Sequence, residues 1–314
     1  MDNVQMRLIK KVISRPVKAL TVLGRSGVLN WMSDEAYIRL LYRAEFREKL
    51  DLDHPETFNQ KMQWLKLYDR NPVYPEMVDK YKAKSYVSDR IGSEYIIPAF
   101  GVWDSFDEID FDRLPNQFVL KCTHDSGGVL ICRDKNRFDI AQARKKMNYF
   151  LKHDYYHFGR EWPYKNIHPR ILAEQYMEDE AAGELRDYKF LCFGGKVKCF
   201  KIDFDRFSGH HANYYDPDGR LLDIGIVNNP PVFDRELHMP TDIEKMKEIA
   251  EKLTEGLPFC RADLYEVNGR IYFGELTFYP ASGFAKYTTR DADMELGSWI
   301  PLPDKDRWTD GRRT

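Results

Sequence analysis

The stretch Arg261-Ala262-Asp263-Leu264-Tyr265-Glu266-Val267-Asn268-Gly269-Arg270-Ile271-Tyr272-Phe273-Gly274-Glu275-Leu276-Thr277 decides how the chain is read. Two runs rich in aromatic and β-branched residues meet at Asn268-Gly269, the pattern of a β-hairpin. If Asn268-Gly269 alone forms the turn, Asp263 faces Gly274 and Glu275 points to the opposite side of the sheet. A three-residue loop, Val267 to Gly269, pairs Asp263 with Phe273 instead. Glu275 and Thr277 then share the face of Asp263. Two carboxylates on one face suit a hard divalent cation such as magnesium. An ordinary hairpin with solvated acids would use the same residues, so the rest of the chain has to decide.

At 314 residues the chain is long enough for two lobes, or for one domain with an appended arm. Its formal net charge of −2 gives no electrostatic reason to expect nucleic acid. Aromatic content of 14% fits a folded globular protein. The five cysteines (Cys122, Cys132, Cys192, Cys199, Cys260) contain no C-x-x-C pair. A reduced, cytoplasmic chain is the simple expectation. No apolar run approaches the roughly 20 residues of a membrane span, and no secretory signal is evident.

The first thirty residues are basic. Arg7, Lys10, Lys11, Arg15, Lys18 and Arg25 accompany one acid, Asp2. With Met6, Ile9, Ile13 and Leu20 near helical spacing, this arm could lie on an anionic membrane surface or pack on protein. Ser33 starts a helical region extending to about residue 70, and Thr57-Phe58-Asn59-Gln60 has the form of a capping box. A helix from Glu76 to Arg90 would place Lys80 and Lys84 on one face, ordinarily a solvated one. Short strands are expected at Tyr95 to Ile97, Phe118 to Lys121 and Gly128 to Ile131. Between the last two, Cys122-Thr123-His124-Asp125-Ser126-Gly127-Gly128 could fold its amides around phosphate oxygens or serve as a plain turn. A helix at Asp139 to Leu151 and a strand at Ile171 to Met177 follow. A second hairpin turns at Gly194-Gly195, with Asp187 and Lys189 on one face. Asp242 to Leu253 supplies a further helix.

The order of these pieces resembles an ATP-grasp enzyme over roughly residues 75 to 290. It is more closely similar to the TupA-like, teichuronopeptide-biosynthesis type. That likeness is carried by Thr57-Phe58-Asn59 with Lys61-Met62-Gln63-Trp64-Leu65-Lys66, Asp79-Lys80-Tyr81, Phe118-Val119-Leu120-Lys121-Cys122, Asp187-Tyr188-Lys189-Phe190 and Phe273-Gly274-Glu275-Leu276-Thr277. The resemblance implies an α+β fold whose two lobes, built on antiparallel sheets, enclose ATP behind a helical N-terminal region. The corresponding division is residues 1–72, 73–180 and 181–314. It also implies an ATP- and Mg2+-dependent carboxylate–amine ligase working through an acyl-phosphate. Lys80, Lys121 and Lys189 would meet the ATP phosphates, covered by Ser126, Gly127 and Gly128. Glu174, with the backbone of Gln175 and Tyr176, would meet adenine, and Asp187 the ribose. Asp263 and Glu275 would hold magnesium, with Thr277 standing where many relatives have asparagine. Arg261 would steady the tetrahedral oxyanion, assisted by amides at Ala281, Ser282 and Gly283.

The same resemblance implies an amino acid or other amine as one substrate. The other would be a carboxylate-bearing cell-surface glycan or nucleotide-sugar. His210, His211, Asn213 and Tyr214 could form a polar-aromatic acceptor cluster. A glycosyltransferase using Asp203-Phe204-Asp205 is the alternative enzyme, although Asp-x-Asp recurs at residues 51, 216 and 291. A non-catalytic nucleotide- or glycan-binding scaffold is the third class.

Overall fold

The computed structural model describes residues 20, 22–24, 27–179, 185–206 and 209–308; the six cations of the basic arm lie outside the described residues. Helix α1 (Asp34–Phe46) starts where the Ser33 side chain accepts the Ala36 amide. Helix α2 (Phe58–Tyr68) starts at the expected capping box, Thr57 and Gln60 each satisfying the other's backbone. The single helix expected from Glu76 to Arg90 is instead two, α3 (Tyr74–Val78) and α4 (Lys82–Ile91). Asp79 makes the break. Its carboxylate accepts the Tyr81 and Lys82 amides at 2.9 and 3.0 Å and pairs with Arg170 at 3.0 Å. Accepting amides two and three residues ahead is what a helix-starting side chain does, so the chain restarts there. Lys80 therefore sits in a break between helices rather than on a helical face with Lys84.

The first strand falls later than expected. β1 (Ala99–Trp103) forms in place of Tyr95 to Ile97 and pairs with β4 (Ile171–Gln175). With β2 (Phe118–Cys122) and β3 (Val129–Cys132) these build a four-stranded antiparallel sheet in the order β1-β4-β2-β3. Helix α5 (Ile140–Leu151) buries Ala143 and Met147 in a small core with Phe118, Leu120, Cys122 and Ala173.

A second antiparallel sheet holds β5 (Arg186–Phe193), β6 (Lys196–Phe204), β7 (His211–Tyr215), β8 (Leu221–Leu222), β9 (Phe259–Val267) and β10 (Arg270–Thr277), in the order β10-β9-β5-β6-β7-β8. Its apolar face carries Tyr188, Phe190, Phe200, Ala262 and Leu264. They share one large core with residues of α1, α2, α3, α4, α6 (Ile243–Leu253) and α7 (Arg290–Ser298). Strand alternation thus leaves the opposite face of β5, β6 and β9 for polar side chains. All five cysteines are buried and unpaired. No helix among the described residues is long and apolar enough to cross a membrane.

The decisive hairpin combines features of both readings. Val267 pairs with Arg270, so Asn268-Gly269 is a two-residue turn, both residues left-handed at φ 50° and 74°. That register alone would turn Glu275 away. The ladder shifts between Phe273 and Glu275, however, and Gly274 bulges out. Glu275 then lies directly opposite Asp263, and Thr277 opposite Arg261. A Cβ at Gly274 would sit 2.8 Å from the Tyr265 ring and 2.9 Å from the Asp263 carbonyl oxygen. Gly274→Val is expected to cost about 1–3 kcal/mol through overpacking. A urea titration with an unshifted midpoint would mean that the bulge accepts a side chain.

Candidate active site

The polar face of the large sheet is laid out in cross-strand rows. Glu275 pairs with Asp263, Asp263 with Lys189, and Lys189 with Lys201. In the row on one side, Thr277 opposes Arg261. On the other, Asp187 faces Tyr265 across the β5–β9 ladder. Asp263 and Lys189 are a directly paired opposite-charge couple, whereas Glu275 with Asp263 and Lys189 with Lys201 are like-charged pairs, offset by Arg261 beside Glu275 and Asp203 beside Lys201.

Arg261 is the centre of this face. Nε and Nη2 donate to the two Asp263 oxygens at 2.6 Å each, the fork geometry of an ionised pair. Nη2 also reaches Thr277 Oγ1 at 3.0 Å and Glu275 Oε1 at 3.4 Å. Thr277 Oγ1 donates onward to Glu275 at 3.3 Å. Burial pushes the Asp263 carboxyl up to about 6, against the pull of Arg261 and Lys189. Burial also works against the Arg261 charge, but Asp263 outweighs it and holds the guanidinium above its ordinary value. Asp263 is 4% exposed and Glu275 48%, so one carboxylate is locked and the other reaches out.

Lys189 bonds Asp187 and lies 3.2 Å from Asp203 and 4.0 Å from Asp263. Arg206 meets Asp187 at 2.5 Å, Lys201 meets Asp203 at 3.1 Å, and His210 meets Asp203 at 2.8 Å. The Asp187 Oδ1 atom is buried without a hydrogen-bond partner. Sequence reasoning placed Asp187 and Lys189 here, singled out Asp203 only as part of an Asp-x-Asp pair, and missed Lys201 and Arg206. The alternation of β6 was the signal that could have set Lys201 and Asp203 on this face.

The second cluster lies on the small sheet. Glu174, 6% exposed, is gripped by Lys84 and Lys121 at 2.5 Å each. Burial would raise its pKa, but the two ammonium groups win and hold the carboxyl below its usual value. Lys84 also donates to the Ile97 carbonyl at 2.8 Å. The ordinary expectation that Lys84 is solvated thus fails, because its partner is 90 residues away. Lys80 instead reaches the Asp125 carbonyl in the β2–β3 loop. Within that loop the Gly128 amide donates to the Asp125 carboxylate at 3.2 Å, and Ser126 lines a recess with Tyr149, Phe150 and His153. Gly127 is left-handed at φ 136°. The Gln175 amide is spent on the Pro98 carbonyl at 2.9 Å, so it is not free for a base edge. Gln175, Tyr176, Met177 and Asp179 nevertheless line an open cavity of about 630 Å³ with Asn268, Arg270 and Tyr272 of the hairpin. This cavity joins the two sheets. Among the described residues no ion pair links Lys80 or Lys121 to Asp263 or Glu275; the ion pairs of each cluster stay within it.

Beyond Thr277 the chain makes a tight turn, Pro280–Gly283, with Ala281, Ser282 and Gly283 all left-handed at φ 49°, 54° and 64°. The Ser282 amide already donates to the Tyr279 carbonyl at 2.8 Å, which removes it from the expected set of oxyanion donors.

Two other expectations are corrected. His210, His211, Asn213 and Tyr214 do not form one cluster, His210 being held by Asp203. His211 bonds the Pro230 carbonyl, Asn213 exchanges bonds with Val232, and Tyr214 faces the other way beside Lys201. Asp203 and Asp205 do not converge on a shared ligand position either. Asp203 is buried in the cationic network, whereas Asp205, left-handed at φ 51°, pairs with Arg235 at 3.7 Å.

For a metal, the available donors are two carboxylates and a hydroxyl at Asp263, Glu275 and Thr277, and among the described residues no group of three or more His, Cys, Asp or Glu converges. All-oxygen donors with few protein carboxylates are what magnesium accepts, so the residues fit that ion in type and number.

Comparison with known proteins follows the same lines. A family model described as TupA-like ATPgrasp matches residues 60–301. Among solved structures, the chain is similar to D-alanine–D-alanine ligase from Helicobacter pylori at 14% identity and TM-score 0.37, covering 76% of this chain and 62% of that one. It is similar to an ADP complex of N5-carboxyaminoimidazole ribonucleotide synthetase at 13% identity and TM-score 0.43, covering 78% and 57%. It is also similar to phosphoribosylamine–glycine ligase from Thermotoga maritima at 16% identity and TM-score 0.40, covering 67% and 50%. The chain therefore spans between half and about three-fifths of the length of these three proteins. No curated protein matches it significantly. With the family model matching well over half of its length, the chain belongs to the TupA-like ATP-grasp family.

Proposed function

We propose that the protein is an ATP- and Mg2+-dependent carboxylate–amine ligase. The observation that carries this reading is the bulge at Gly274, which sets Arg261, Asp263, Glu275 and Thr277 on one sheet face. In the reaction a substrate carboxylate oxygen attacks the γ-phosphorus, the bond to the β-phosphate oxygen breaks, and ADP leaves. An amine then attacks the acyl carbon, phosphate departs with the bonding pair, and the nitrogen loses a proton. Lys84 and Lys121 supply positive charge for the ATP phosphates, and Lys80 acts by ordering the loop that covers them. The cavity beside Gln175 and Tyr176 takes the base. Arg261 donates to the oxyanion that forms when the amine adds, where fixed charge acts without reorganisation. Magnesium, when bound at Asp263 and Glu275 with Thr277, would offset charge on the transferring phosphoryl group.

The family resemblance supports a uronic-acid carboxylate of a cell-surface polysaccharide or its precursor as acceptor, with an amino acid or similar amine as nucleophile. The basic arm supports association with the inner face of an anionic membrane. So does Trp31 beyond it, 80% exposed. The test is to incubate the protein with ATP, Mg2+, uronic-acid acceptors and amino-acid mixtures and to follow ADP and phosphate. ADP release that requires acceptor supports the ligase. Turnover that requires a nucleotide-sugar donor would replace it with the glycosyltransferase, and ATP binding with neither would leave a scaffold.

The cation role has its own test. Asp263→Asn and Glu275→Gln are each expected to raise the Mg2+ needed for half-maximal ADP release at least about tenfold, the worth of one charged contact. Thr277→Val should shift it less than about threefold, because a hydroxyl is the weaker donor. Unchanged Mg2+ dependence in both carboxylate variants would remove these residues from the metal site.

A further inference from the structure

The sequence run Asn59, Gln63, Lys66 is spaced along one face of α2, and every member reaches into the segment that follows the catalytic hairpin. Asn59 donates to the Ala285 carbonyl at 2.8 Å and to Asp293 at 3.0 Å. Gln63 donates to the Gly283 carbonyl at 2.6 Å. Lys66, 1% exposed, donates to the Ser282 carbonyl at 2.6 Å, the Ser282 hydroxyl at 3.0 Å and the Gly159 carbonyl at 2.9 Å. One ammonium group thus ties together two separate turns, residues 280–283 and 159–161. Glu161, 4% exposed, lies in the field of that ammonium and leaves Oε1 without a hydrogen-bond partner.

The fit is tight on every side. A Cβ at Gly159 would fall 2.0 Å from Ser282 Oγ, and one at Gly283 would fall 2.6 Å from Gln63 Nε2 and Met62 Cβ. Ala281 and Ser282 hold left-handed backbone conformations that cost energy and persist only where surroundings over-determine them. The clamped turns are also close along the chain to residues beside the reacting groups. Tyr164, three residues past Glu161, feels the charges of Glu275 and Arg261, and the Pro280–Gly283 turn follows three residues after Thr277. A buried ammonium is poor value for stability alone, because burying it costs more than an apolar residue would.

Resting on the ligase reading above, we infer that Lys66 is a positioning residue. It clamps the 159–161 and 280–283 turns into a single wall that holds the acceptor and amine against Arg261. It touches neither ATP nor the reacting atoms. ATP contacts lie at Lys84 of α4, at Lys121 of the small sheet and in the cavity between the two sheets.

The experiment uses the full chain with Lys66→Met and with the double variant Lys66→Met/Glu161→Gln, which removes both buried charges together. Amide hydrogen exchange, needing no substrate, reads the clamp. Both variants should lose protection in residues 158–164 and 279–284, with residues 172–176 and 261–277 unchanged. In the ADP-release assay kcat should fall at least 30-fold in the double variant while the KM for ATP stays within threefold. A merely structural lysine would give a different result: the double variant would regain wild-type kcat once the unpaired charge is gone, and that outcome overturns the proposal. Unaltered exchange at both turns overturns it as well. If the wild type turns over no acceptor while both variants still lose protection at the two turns, the ligase reading fails and the clamp stands as structure.

Discussion

Arg261→Ala is expected to lower acceptor-dependent ADP release at least about 100-fold, the ~3 kcal/mol typical of one lost oxyanion donor, while the Kd for ATP moves less than about threefold. The asymmetry follows from position. Arg261 lies on β9 between Asp263 and Thr277, where the acyl centre would be, and not beside the lysines of the small sheet. The variant also strips Asp263 of both its 2.6 Å donors. Breaking a buried pair from one side costs about 3–5 kcal/mol of stability, so turnover must be compared at a temperature where both proteins are folded. Arg261→Lys keeps the charge beside Asp263 but loses the fork that addresses two oxygens at once. It should fold nearly as well as wild type and still turn over at least about tenfold more slowly. Equal losses of turnover and ATP affinity in either variant would count against an oxyanion role and in favour of a phosphate contact.

What the sequence disclosed, and what it hid, divides by the range of the forces involved. The Asn268-Gly269 turn, the Thr57–Gln60 capping box and the shared face of Asp187 and Lys189 are local, set by a few neighbouring residues, and each was legible. The helix break at Asp79 was not. Its cap to the Tyr81 and Lys82 amides is local, but the carboxylate that makes it is held by Arg170, 91 residues away. Lys84 was read as solvated for the same reason, its partner Glu174 being supplied by a distant strand. The Gly274 bulge shows the subtler case. Asn-Gly marked where the turn lies but left its length open, and one glycine five residues later reversed what the two-residue turn implied for Glu275. The polar face of α2 could have been found by asking what Asn59, Gln63 and Lys66 bond to. Their shared spacing was visible, and only their buried partners were not.

The Lys84–Glu174–Lys121 triad gives the second large effect. Glu174→Ala is expected to destabilise the protein by about 3–5 kcal/mol, since it leaves two part-buried ammonium groups without their anion. At roughly 2–4 °C per kcal/mol the midpoint should fall by at least about 6 °C. The informative measurement is what ATP then does. In the wild type the two lysines share one carboxylate at 2.5 Å, so a triphosphate must compete with Glu174 for them. In the variant its oxygens supply the missing negative charge, and ATP should raise the melting temperature of Glu174→Ala by more than it raises that of wild type. Lys84→Met in the same background should therefore abolish part of the extra ATP shift, and Lys121→Met the rest. An ATP shift of the same size with and without Glu174 would mean that the lysines face away from the phosphates, and the small sheet would lose its assigned part in nucleotide binding.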